Sequence, residues 1–103
     1  MTQKIIYVIT ESEAEATKIA NELLKEKLAA CVNTFPVKSV YWWDNEIERS
    51  DEIAMLIKTK EELIEETIEK IKAMHTYEVP CIDVIDVEKC DANYIKWLNE
   101  VTK

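Results

Sequence analysis

His75 is the only histidine in the 103-residue chain, so any imidazole chemistry must pass through it. It follows a run of helical spacing, where the negative end of the helix dipole favours a cation. A histidine so placed serves equally well by bonding backbone carbonyls or by acting as a ligand or acid/base. Three cysteines, Cys31, Cys81 and Cys90, are the only thiols. Cys31 reads as a small buried apolar residue. Cys81 and Cys90 lack metal-ligand spacing and read as incidental. Lys58 closes an apolar run and can snorkel or pair with a carboxylate such as Glu52 or Glu78. With one histidine and no evident pair of carboxylates in separate environments, a Ser-His-Asp or two-carboxylate enzyme is not legible, and no catalytic residue is assigned.

The elements that must hold these residues follow in order. Lys4–Thr10 is β-branched and apolar, a strand. Ser12 and Glu15 have capping-box spacing and open a helix with Ala16, Ile19, Ala20, Leu23 and Leu24 on one side, ending near Leu28. Cys31–Trp43 is a long second strand in which Pro36 marks a bulge or an edge. Asp44-Asn45 tolerate left-handed backbone and turn a hairpin into a third strand, Glu46–Thr59. Thr59 and Glu62 repeat the capping-box spacing before a second helix bearing Ile64, Ile68 and Ile71. Val79–Val87 is a fourth strand, and Asp91 caps a short helix with Tyr94, Trp97 and Leu98. The expectation is an α+β, ferredoxin-like β-α-β-β-α-β domain plus a short C-terminal helix, one domain over residues 1–103.

Alternation along Ile5–Ile9 and Ile53–Ile57 places apolar side chains on both faces of the sheet. Two helices cover one face, and a short third covers only a corner of the other. A homo-oligomer packed sheet against sheet answers this need.

Composition narrows the partners. The formal net charge is −8, with 21 acidic against 13 basic residues, which opposes nucleic acid and anionic membranes and favours cations. An RNA-binding sheet is excluded further by the missing RNP1-type Gly-aromatic pattern. Glycine is absent, so phosphate-cradling loops, and with them a nucleotide cofactor, are not expected. No apolar run approaches membrane-spanning length. The odd thiol count, the lack of a CxxC pair and the lack of a leader-like stretch before Lys4 set a cytoplasmic location as the expectation. Abundant Ile, Lys and Glu with little Gln point to heat adaptation.

Five blocks in order resemble the CutA family of divalent-cation tolerance proteins: Leu28-Ala29-Ala30-Cys31-Val32-Asn33; Ser39-Val40-Tyr41 with Trp43; Glu52 with Leu56-Ile57-Lys58-Thr59; His75 with Tyr77-Glu78-Val79-Pro80; and Tyr94 with Trp97. The resemblance spans the whole chain. It implies a homotrimer of ferredoxin-like subunits, similar in architecture to PII-type signalling proteins, with a role in tolerance of copper or another divalent cation. Tyr41, Trp42, Trp43 and Trp97 are then expected at the trimer interface, Trp42 and Trp97 serving as core or interface anchors. Cys31, Trp43, Lys58, His75, Tyr77 and Glu78 are expected to line a ligand cleft between subunits, with His75 as the candidate metal ligand. Departures from the family pattern are Asn45 for a hairpin glycine, Thr76 for a proline, which should loosen the turn, and Cys81 for an acidic residue. The positions matching a copper-binding Cys and two adjacent His are Val8, Met74 and His75, of which only His75 keeps a ligand. The expected function is a non-catalytic binding or signalling platform; the alternative is a small enzyme using His75 with Cys31 or Lys58.

Overall fold

A computed structural model describes residues 2–103. The chain runs β1 (Gln3–Thr10), α1 (Glu13–Lys25), β2 (Cys31–Trp43), β3 (Glu46–Lys60), α2 (Ile64–Met74), β4 (Ile82–Asp86) and α3 (Ala92–Val101). The strands form one sheet in the order β2-β3-β1-β4. All three pairings are antiparallel, as the ferredoxin-like expectation requires.

Helix α1 starts as its sequence dictates: Ser12 accepts the Glu15 N–H at 3.1 Å, and the Glu15 carboxylate reaches back to the Glu11 N–H at 2.8 Å. Its end comes at Lys25, earlier than Leu28. Lys27 takes φ 58°, Leu28 N–H bonds Leu23 O at 2.9 Å, and Lys27 N–H bonds Leu24 O at 3.0 Å. This is a Schellman closure with lysine where glycine is usual, and buried Leu23 and Leu28 complete its apolar contact. The second predicted capping box does not form. Thr59 is buried and gives its hydroxyl to Leu28 O at 2.6 Å, so β3 continues to Lys60 and a 3₁₀ turn, Glu61–Leu63, leads into α2.

Pro36 pairs with Ile53 in an unbroken β2–β3 register, so the edge role holds and no bulge occurs. Strand β4 is shorter than Val79–Val87 because the segment through Pro80, which lacks an amide donor, lies outside the ladder.

Ile6, Val8, Met55 and Ile57 face the helices and pack with Ile19, Leu23 and Ile71 into the core. The opposite face carries Ile5, Tyr7 and Ile9 of β1, Leu56 and Lys58 of β3, and Cys31, Phe35, Tyr41 and Trp43 of β2, as the register dictates. Helix α3 reaches the Lys58 end of this face. The β2–β3 hairpin runs out at the other end, where Trp42 is 72% and Ile47 60% exposed. In the single chain neither Trp42 nor Trp97 is a core residue; both are exposed.

Candidate functional site

The groove at the hairpin end is built by β2, β3 and the segment after α2. Asp44 and Asn45 both take positive φ, 55° and 65°, in a two-residue loop that matches the strand twist. This tight turn keeps β2 and β3 paired out to Trp43 and Glu46. Tyr41, Trp42, Trp43, Glu52, Tyr77 and Glu78 line a groove of about 490 Å³ that holds no basic side chain. Tyr41 is steadied by its hydroxyl contact with Ser50 at 2.7 Å, across the hairpin.

Glu52 sits at the base of the groove and is only 6% exposed. Its Oε2 accepts the Tyr77 hydroxyl at 2.5 Å. Burial, then the hydrogen bond and charge of Glu52, hold the Tyr77 phenol well above its ordinary range, so it stays a donor. Among the described residues no lysine or arginine pairs with Glu52. The pairing of Lys58 with Glu52 or Glu78 anticipated from the sequence is therefore not made.

His75 positions the Tyr77 side of the groove. It caps α2, its own N–H bonding Ile71 O at 2.9 Å. Its side chain is 1% exposed. Nε2 lies 2.7 Å from Ile9 O, which can only accept, and Nδ1 lies 3.0 Å from the Tyr77 N–H, which can only donate. The ring is thus assigned the Nε2–H tautomer with both nitrogens committed. Thr76 gives its N–H (2.8 Å) and hydroxyl (2.9 Å) to Glu15 Oε2. Thr76 therefore ties down the turn that it was expected to loosen, through donors a proline lacks. Burial alone would raise the Glu15 carboxyl, but the bonds from Glu11 and Thr76 and the nearby His75 outweigh it and hold the carboxyl below its usual range. Sequence spacing revealed Glu15 as a helix cap and missed this second duty.

The remaining predicted residues gather at the other end of the face. Cys31 stands directly across from Lys58 in the β2–β3 register. The Lys58 ammonium lies 5.6 Å from the centre of the Tyr94 ring. Burial, followed by the charge of Cys31 and a hydrogen bond with it, raises the Tyr94 phenol. Lys58 is four residues along β3 from Ala54, the partner of Ile9, a span of about 13 Å. Within one chain, then, Trp43, Tyr77 and Glu78 come together, with His75 behind Tyr77. Cys31 and Lys58 form a separate cluster. Cys81 lines the groove, and burial followed by Asp83 raises its thiol. Cys90 donates to Gln3 Oε1 at 3.0 Å.

A divalent metal finds no ready ligand set here. Among the described residues no group of three or more His, Cys, Asp or Glu side chains converges. His75 would have to give up Ile9 or Tyr77 before it could ligate, so the residues of a single chain do not fit a metal centre.

Residues 4–101 match the family model of CutA1 divalent ion tolerance proteins. The chain belongs to that family. A CutA divalent-cation tolerance protein from Archaeoglobus fulgidus is 44% identical over 98 residues, covering 95% of this chain and 96% of the relative. One from Pyrococcus horikoshii is 42% identical, with 96% and 97% covered. The solved structure of the Archaeoglobus CutA superposes with a TM-score of 0.96 at 42% identity, covering 98% and 99% of the two chains. That CutA is described as a periplasmic protein, which overturns the cytoplasmic location expected from the thiols. An odd cysteine count argues against a disulfide framework but does not define a compartment, and all three cysteines here are free. CutA1 relatives are named for tolerance of divalent cations and not for an enzymatic activity.

Proposed function

We propose that the chain works as a homotrimeric, non-catalytic platform in divalent-cation tolerance, with the hairpin-end groove as its ligand site. The observation that carries this reading is the uncovered apolar surface. Val40, Tyr41, Trp42, Trp43 and Ile47 project from the hairpin, and Val84 and Ile85 lie exposed on the edge strand β4. Large exposed apolar side chains at both edges of the sheet, on a chain of net charge −8, call for partner surfaces. A second and third copy supply them most simply, closing a ring in which each hairpin has a neighbour to pack on. Tyr41, Trp42, Trp43 and Trp97 are the interface residues in this reading.

The cation role rests on the names of the relatives, and copper is the first ion to test. The enzymatic alternative gains no support within one chain, because His75 and the Cys31–Lys58 pair do not share a site. Native mass spectrometry with and without Cu(II) and Zn(II) tests both parts. A trimer that retains metal in whole-number proportion supports the cation-binding platform. A trimer that takes up neither ion removes direct metal binding from the reading, and a monomer removes the platform.

A further inference from the structure

Every second side chain of β3 points to the sheet face that α1 and α2 leave open. Glu46, Glu48 and Glu52 stand on it at the hairpin end, and Lys58 and Lys60 at the other. The side chains that β1 and β2 add to this face, from Gln3 to Ile9 and from Cys31 to Trp43, are all uncharged. One strand therefore charges the open face oppositely at its two ends. Nothing within the chain matches those charges. Among the described residues neither lysine pairs with a carboxylate, and none of the three glutamates pairs with a cation. Exposed Glu46 and Glu48 lose little by this. Glu52 is 6% exposed and Lys58 is half-buried, and covering this face takes both further out of water.

A ring of three identical copies removes the mismatch. Three-fold symmetry never turns a patch onto the same patch of a neighbour, so each contact joins two different parts of the chain. The two ends of the open face are such a pair. They are opposite in charge, and each is aromatic, with Tyr41 and Trp43 at the hairpin and the Tyr94–Trp97 pair on α3. Lys58 is the lysine of the two that still reaches solvent, its ammonium 5.6 Å from the centre of the Tyr94 ring. Lys60, 8% exposed, lies at the extreme end of the strand.

We propose that the hairpin end of each copy docks on the α3 end of the next, where Glu52 receives the ammonium of Lys58 of the partner subunit. This rests on the trimer proposed above, and it completes the groove at the hairpin with a residue of the neighbouring copy. The pairing also fixes the direction of the ring. Head-to-tail contacts match every Glu52, whereas two like ends would set carboxylate against carboxylate or ammonium against ammonium.

A double-mutant cycle read by subunit exchange tests it. Ordinary and isotope-labelled protein are mixed, and native mass spectrometry follows the appearance of mixed trimers. The unaltered protein is compared with Glu52→Gln, Lys58→Met and the double variant. Glutamine keeps an acceptor for the Tyr77 hydroxyl, and methionine keeps an unbranched stem beside Tyr94. Circular dichroism checks each fold, and Lys58→Gln stands in if methionine disturbs it. Positions 52 and 58 lie six residues apart on β3, about 20 Å, too far to couple within one chain. Any coupling between them therefore crosses the interface. The expected result is exchange about tenfold faster in each single variant and no faster again in the double. An additive acceleration of about a hundredfold in the double variant overturns the pairing and leaves the trimer standing. Unaltered exchange in either single variant does the same. A monomer from the unaltered protein overturns the trimer and the pairing together.

Discussion

The Tyr77 hydroxyl donates to Glu52 Oε2 at 2.5 Å and so ties the segment after α2 to strand β3. The bond joins two walls of the groove. It also explains why the only histidine of the chain is spent on structure: its Nδ1 accepts the Tyr77 N–H and holds the same segment from behind.

Tyr77→Phe keeps the ring and removes the tie. A hydrogen bond to a carboxylate at a half-buried site contributes about 1–2 kcal/mol, and Glu52 is left without its donor. The expected outcome is a loss of that size in urea unfolding, with the far-ultraviolet circular dichroism unchanged. An unaltered midpoint would show the bond to be dispensable.

His75→Ala removes a buried ring and orphans the Ile9 carbonyl and the Tyr77 N–H. The expected cost is about 2–4 kcal/mol, whether or not metal is present. Denaturant curves in the presence and absence of a chelator check this. A histidine that matters only as a ligand would give equal stability once metal is removed.

Much of this architecture was legible beforehand, and the particular failures are instructive. Ile6, Val8, Met55 and Ile57 alternate against α1 and α2 as their spacing requires, and Asp44-Asn45 turn the hairpin. Thr59 deceived because a hydroxyl three residues before a glutamate looks like a cap, whereas burial gave it the Leu28 carbonyl instead. The cleft expected between subunits is a different matter, since Cys31 and Lys58 stand apart from Trp43 and Tyr77 only within one chain. Cys31 and Lys58 share a face with Trp43 and Glu52, but side-chain alternation states the face and not the distance along it. Glu15 and Thr76 meet only because α1 and the segment after α2 lie side by side, a contact that no local motif encodes.

Lys27→Gly should stabilise the chain. Its φ of 58° costs a residue with a Cβ more than it costs glycine, even after glycine's looser unfolded state is counted. A gain of about 0.5–1 kcal/mol is expected, seen as a higher Tm by calorimetry. A lower Tm would mean that the lysine side chain contributes more than the backbone strain costs.

Glu15 predicts the acid limb of stability. Its folded carboxyl lies below the ordinary glutamate range, so the unfolded chain takes up a proton first as pH falls. Its contribution is present above pH 4.5 and is lost as pH falls through the lower folded value. Glu15→Gln should therefore flatten the loss of stability below pH 4.5 while lowering stability at neutral pH. Urea midpoints from pH 7 to 3 decide it, and parallel curves for the two proteins would remove Glu15 from the account.

The central claim is that the hairpin and the uncovered sheet face exist to join copies of this chain. Trp42 and Ile47 stand opposite each other on the exposed side of the hairpin, so serine at both positions should weaken association without touching the core. Native mass spectrometry of the unaltered protein at micromolar concentration tests the claim most directly. The account predicts a species of three times the 12.0 kDa chain mass, reduced to monomer in the double variant. A monomer from the unaltered protein, with its tryptophans still exposed, would contradict it.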